Sequence, residues 1–131
     1  MAGRQIFDPE GFRNVTEDGK NVGFAFRFKA QYYRGITLSI VHDIKVNIDG
    51  EDIPRENIRF SVHGETFTLD EMSTVVSPLY RWELGEFADV TVLKDGGLSA
   101  GEHHLTAVQN LAPSYMPFPL INECKADFTI A

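Results

Sequence analysis

Phe24-Ala25-Phe26-Arg27-Phe28-Lys29-Ala30 decides the fold. Phe24, Phe26, Phe28 and Ala30 alternate with Ala25, Arg27 and Lys29. Successive side chains of a strand point to opposite faces, so a period of two places three phenylalanines on one side of a β-strand. The same period recurs in both directions. Ile36, Leu38 and Ile40 alternate with Thr37 and Ser39, and Ile44, Val46 and Ile48 alternate with Lys45 and Asn47. Asp49-Gly50 then interrupts with a turn dipeptide. Phe60 and Val62 alternate with Arg59, Ser61 and His63, and Gly64-Glu65 reads as a tight turn into Thr66-Phe67-Thr68-Leu69.

Further along, Ala88, Val90 and Val92 alternate with Asp89 and Thr91 and end at Asp95-Gly96-Gly97. Leu105 to Val108 and Ala126 to Ile130 complete the strand series. No window sustains a helical stripe over three turns, and Asp70-Glu71-Met72-Ser73 allows one short helical turn. Roughly seven or eight strands about eight to twelve residues apart predict an all-β, antiparallel two-sheet sandwich, immunoglobulin-like or jelly-roll-like. Each sheet is expected to bury one face and wet the other. The prediction is a single domain over 21–131, preceded by an arm over 1–20 in which Phe7, Phe12 and Val15 are scattered among polar residues and glycines. The arm packs either on its own domain or on a neighbour.

Composition narrows the function. The 131 residues are 43% hydrophobic and 24% charged, a globular balance large enough for one core. A net charge of -7 without a basic cluster excludes the positive footprint that nucleic acids require, and disfavours anionic membranes. Cys124 is the only cysteine, so no internal disulfide forms. Met1-Ala2-Gly3-Arg4-Gln5 leads into no apolar stretch of the secretory kind, and together these features favour a reducing cytoplasmic location. No known nucleophile signature surrounds Cys124, which reads as a small buried residue.

Between Leu105 and Asn122 there is no charged residue. The second half, 112–121, sets Pro113, Pro117 and Pro119 among Tyr115, Met116, Phe118, Leu120 and Ile121. Proline fixes φ and removes a donor, which rules out a helix interior or a central strand there. The stretch is also too short and too broken to cross a bilayer. An extended apolar loop remains, and such a surface calls for a partner.

The side chains of chemical interest assemble no self-sufficient site. His103 and His104 are neighbours on a strand and point apart, as do His42 and Asp43, while His63 sits at a hairpin tip. No histidine pair has the spacing that brings two imidazoles to one ion, so no metal site is expected and solvent-facing histidines are the default. Glu51-Asp52, Asp70-Glu71, Glu83, Glu86 and Asp89 read as a solvated acidic surface. There is no phosphate loop and no serine in a nucleophile elbow. Tyr32-Tyr33-Arg34, Tyr80-Arg81-Trp82 and Tyr115 fit sugar stacking, core packing or a protein interface.

Several segments in order resemble the small (β) subunit of the bacterial C-glycoside deglycosidases. They are Tyr32-Tyr33-Arg34-Gly35, Val46-Asn47-Ile48-Asp49-Gly50-Glu51 and Phe67-Thr68-Leu69-Asp70-Glu71-Met72, followed by Trp82-Glu83-Leu84-Gly85-Glu86. Gly97-Leu98-Ser99-Ala100-Gly101-Glu102-His103 and Tyr115-Met116-Pro117-Phe118 complete the set. The resemblance runs from about Phe7 onward and rests on order and spacing rather than on any one motif.

That resemblance implies a larger α subunit, a TIM barrel similar to sugar-phosphate isomerases and epimerases, in a higher-order hetero-oligomer. It places a divalent metal, commonly Mn2+, in that partner and no cofactor in this chain. The substrates it implies are 3-oxo-C-glycosides. A carbonyl at sugar C3 acidifies the C2 proton, a metal stabilises the enolate, a base takes the proton, and the C1–aryl bond breaks as the aglycone is protonated. This is elimination, a lyase reaction rather than hydrolysis. No catalytic residue is expected here. The expected substrate or partner contacts are Tyr115, Met116, Pro117 and Phe118, with Tyr32, Tyr33 and Arg34 second. The alternative is a free-standing carbohydrate-binding module that stacks sugars on Trp82 and the tyrosines. A small cupin-like enzyme is a weaker option, opposed by the histidine spacing.

Overall fold

The computed structural model describes residues 6–8, 10–29, 36–72, 74–75, 82–83, 86–111 and 120–130. Two antiparallel sheets face each other in one domain, as the alternation predicts. Nine strands are described: β1 (Arg13–Glu17), β2 (Lys20–Phe28), β3 (Val41–Ile48), β4 (Glu51–Asp52), β5 (Ile58–Val62), β6 (Glu65–Thr68), β7 (Ala88–Leu93), β8 (Gly101–Leu111) and β9 (Leu120–Ile130). One sheet has the order β1-β2-β7-β5-β6 and the other β4-β3-β8-β9. The chain therefore changes sheet after β2, after β4 and after β7. A single helical turn, α1 (Leu69–Met72), follows β6 and buries Leu69 and Met72.

The β2 phenylalanines anchor the core. Phe24, Phe26 and Phe28 are buried, and Phe26 pairs with Val90 of β7, which in turn pairs with Phe60 of β5. From the facing sheet Ile44, Val46 and Ile48 of β3 and Leu105, Ala107 and Leu111 of β8 close over them. Phe26 and Phe28 meet edge-on at 5.4 Å between ring centroids, a geometry that adds attraction beyond the buried area. Gly23 sets how closely β2 and β7 approach, because a Cβ there would fall 2.0 Å from the Val92 carbonyl oxygen. On the outer face Asp89 accepts from Arg27 Nε at 3.0 Å and Arg13 Nη2 at 3.3 Å, linking β7, β2 and β1.

Tight turns join the short hairpins. Asp18-Gly19, Asp49-Gly50 and His63-Gly64 all have positive φ at both residues, the signature of the hairpin turn whose twist matches its strands. The third sits one residue before the expected Gly64-Glu65.

Several boundaries differ from expectation. The described part of the arm packs on its own domain: residues 13–17 form β1, and buried Phe7 bridges to Phe28. Phe12 stacks on Phe128 of β9 at 4.2 Å, tying the start of the chain to the opposite sheet. Ile36 to Ile40 is not a strand. Ile36 makes an isolated bridge to Trp82, and Leu38–Ile40 is a single 3-10 turn closed by the Ile40 amide donating to the Thr37 carbonyl. Three alternating apolar residues are too few to separate a strand from one helical turn. β8 and β9 are each 11 residues long, longer than their apolar cores suggested. They pair without interruption from Gly101↔Ile130 to Leu111↔Leu120.

Phe26→Ala removes a fully buried ring at the meeting of the sheets and is expected to cost about 3–5 kcal/mol in urea unfolding. Gly23→Ala forces β7 away from β2 and is expected to cost about 1–3 kcal/mol. A midpoint unchanged in both variants contradicts this account of the core.

Candidate functional site

Tyr32, Tyr33, Arg34, Tyr115, Met116, Pro117 and Phe118 lie outside the described residues, as does most of the apolar stretch 112–121. The framework that holds the ends of their segments is described. Gln109, fully buried in β8, donates from Nε2 to the Lys29 carbonyl at 2.8 Å, so the end of β2 is tied to the end of β8. Ile36, where the chain resumes, exchanges backbone hydrogen bonds with Trp82 at 3.0 and 2.8 Å. Leu111 pairs with both Val41 and Leu120. Lys29, Ile36, Leu111 and Leu120, the described residues that flank 30–35 and 112–119, thus gather at one end of the sandwich.

Trp82 belongs to the interior. Its ring is fully buried, 5.0 Å from Phe60 and 5.5 Å from Phe28, and its Nε1 donates to the Glu86 carbonyl at 2.9 Å. The residue named as the stacking platform of a carbohydrate-binding module therefore presents no face to a sugar. Among the described residues two large hydrophobic side chains are exposed, Phe87 and Ile121. Lys29 Nζ lies 5.0 Å above the Phe87 ring, a cation–π contact. Ile121 is the last residue of the apolar stretch and pairs with Asn110 of β8.

At the opposite end stands a polar cluster. His103 and His104 point to opposite faces of β8, as their adjacency predicts. His103 is only 6% exposed, however, so the expectation of solvent-facing histidines fails for it. Its Nδ1 lies 2.6 Å from Asp49 Oδ2 and its Nε2 lies 2.7 Å from the Ser99 carbonyl oxygen. Asp49 also accepts the His104 amide on Oδ1 at 2.8 Å. The hydrogen bond to His103, reinforced by that amide, holds the Asp49 carboxyl below its ordinary range. Exposed His104 pairs instead with Asp127 of β9 at 2.6 Å. A shallow cleft of about 290 Å³ opens beside His103, lined also by Asp49, Glu51, Lys94, Leu98 and Ser99. No sequence spacing signals this cluster, because Asp49 and Ser99 reach His103 from two separate connections.

His63 lies 2.8 Å from Glu86, and a second cleft of about 270 Å³ lies beside Arg55 and Arg59. Among the described residues no three His, Cys, Asp or Glu side chains converge in a way that would hold a metal ion. Nor is any helix among them long and apolar enough to cross a membrane. Cys124 is buried on the inner face of β9, and burial pushes its thiol up to about 11.

Comparison with known proteins adds a direct likeness. Residues 2–115 match the family model described as C-glycoside deglycosidase beta subunit. A protein of that name from Eubacterium cellulosolvens is 33% identical over 121 residues, covering 92% of this chain and 80% of the relative. Another, from Arthrobacter globiformis, is 32% identical over 80 residues, covering 61% of this chain and 59% of the relative. A "3'-dehydrocarminate deglycosidase beta subunit" from a Microbacterium species is 28% identical over 96 residues, covering 72% of this chain and 70% of the relative.

The raised thiol predicts that Cys124 is inert in the folded protein, since the thiolate is the reactive form. At pH 8 an aromatic disulfide reagent should label it at least a hundredfold more slowly in the native chain than in urea. Equal rates contradict the burial of β9 against the core.

Proposed function

This chain belongs to the family of C-glycoside deglycosidase beta subunits, and from that premise we propose that it is the accessory subunit of a heteromeric carbon–carbon lyase. The observation that carries the reading is the 33% identity over 92% of the chain to a relative named as such a subunit. The proposed partner is a TIM-barrel α subunit similar to sugar-phosphate isomerases and epimerases, together forming a higher-order hetero-oligomer in the cytoplasm. Catalytic base and divalent metal, Mn2+ by resemblance, belong to that partner. When bound there the cation would supply charge stabilisation to oxygen.

The substrate class is a 3-oxo-C-glycoside. A ketone beside C2 lowers the acidity barrier at that carbon, so proton removal and loss of the C1-linked aryl group become one feasible elimination. The prefix 3'-dehydro in the name of the Microbacterium relative denotes oxidation at that sugar position, which supports the assignment.

The work of this chain is to stabilise the barrel and to close one side of its site, excluding water and bounding the aglycone. Exclusion of water strengthens the electrostatic interactions inside such a site. The proposed contacts are Tyr115, Met116, Pro117 and Phe118, then Tyr32, Tyr33 and Arg34. Support comes from the framework: the described ends of both segments gather at one end of the sandwich, beside exposed Ile121.

Co-expression with the encoded barrel subunit should yield a stable complex that cleaves an oxidised C-glycoside, while this chain alone is inactive. Met116→Asp or Phe118→Asp should weaken assembly at least tenfold by sedimentation or surface binding, with near-ultraviolet circular dichroism unchanged. A monodisperse chain that gains nothing from the barrel, or variants that assemble with wild-type affinity, would overturn the reading.

A further inference from the structure

We propose that His103 is a pH-released latch, a doubly protonated imidazolium that fastens the 97–101 connection to the β3–β4 turn and lets it go on losing a proton. The geometry requires two protons on the ring. Nδ1 faces a carboxylate oxygen at 2.6 Å and Nε2 faces a backbone carbonyl oxygen at 2.7 Å. Neither Ser99 O nor an ionised carboxylate carries a hydrogen to give. A neutral imidazole has a single N–H, so it can satisfy only one of these contacts and turns a lone pair on the other.

Placing the second proton on Asp49 instead meets an obstacle. Asp49 Oδ1 is already engaged by the His104 amide at 2.8 Å, and both bonds favour the ionised carboxyl. Around the ring, Asp49 first and the Ser99 carbonyl second raise the proton affinity of His103 above the usual 6.5, with burial opposing them. The remaining groups do not replace the latch, and the charge of His104 opposes it. Glu51 and Lys94, which line the same cleft, neutralise each other at 2.8 Å. From β8 itself, Glu102 is exposed and His104 turns to the other face towards Asp127. From β9 the ring of Phe128 packs 5.8 Å away.

The latch shares this connection with another fastening. The other does not titrate: Asn14 of β1 donates from Nδ2 to the Leu98 carbonyl at 2.9 Å and accepts the Leu98 amide on Oδ1 at 2.7 Å. Loss of the His103 proton therefore loosens the connection without detaching it. Because the folded state raises the affinity of His103 for its proton, the fastening is complete below the ordinary histidine value and is lost as pH rises through the raised one. The 11-residue β8 separates this end from the Leu111 end by roughly 30 Å. The latch thus acts apart from the proposed docking loops, and the inference stands independently of the proposed partner.

Hydrogen exchange by mass spectrometry, on peptides covering 97–103 of the full chain in its assembly, tests the latch. With exchange times scaled for intrinsic rate, protection should fall at least fivefold between pH 6 and pH 9. Asp49→Asn should move that fall to lower pH, and His104→Gln should leave it in place. A flat wild-type profile, or a fall abolished by His104→Gln, overturns the proposal. Histidine-selective ¹⁵N NMR on the unsubstituted chain gives a reading free of any folding defect. Both ring nitrogens of His103 should be protonated at pH 6.5, and a single neutral tautomer there also overturns it.

Discussion

The aromatic column on one face of β2 is the constraint on which the rest of the sandwich depends. Three phenylalanines at alternate positions cannot be left in water, and one strand cannot cover them. β7 and β5 extend the apolar face sideways, and β3 and β8 cover it from above. Phe28 lies within 6 Å of Phe7, Phe26 and Trp82 by ring centroid. It thereby draws the start of the chain and the Trp82 bridge into the same interior. The arm that composition left undecided is pulled onto its own domain by this need for cover.

Much of this was legible because burial imposes a period. Where one face is buried along a whole strand, as at β5 and β7, alternation located the element within a residue or two, while β2 and β3 begin four and three residues before their alternating stretches. Where burial is weaker, the signal faded. β1 is exposed or half-buried throughout and its alternation is hidden by Asn14 and Thr16, while β4 has only two residues. At Leu38–Ile40 a three-residue alternation concealed a 3-10 turn. β8 was seen only at its apolar centre, because Gly101 to His104 offer no apolar alternation to mark the strand.

The site divides in the same way. Absence of charge and abundance of proline marked the apolar stretch from local composition. Trp82 was ambiguous in sequence, since a tryptophan flanked by tyrosine and arginine suits a sugar platform as well as a core; its ring neighbours among the described residues, Phe28 and Phe60, are distant in the chain. The His103 cluster was invisible for a related reason. Its partners stand 54 and 4 positions away, on two different connections. Only the pairing of β3 with β8 brings Asp49 to the imidazole, so the cluster is a product of register.

The stacking of Phe12 on Phe128 has a consequence for time rather than for stability. These rings lie near the two ends of the chain, and the Gln109–Lys29 tie joins positions 80 apart. Contacts of such long range form late, because the loop entropy must be overcome before they contribute. During synthesis, the phenylalanines of β2 therefore wait without their full cover until β8, some 80 positions later, has left the ribosome. A nascent chain in that state exposes adhesive apolar surface. If its partner subunit is made beside it, the same interval is when capture by a chaperone or by that partner matters most.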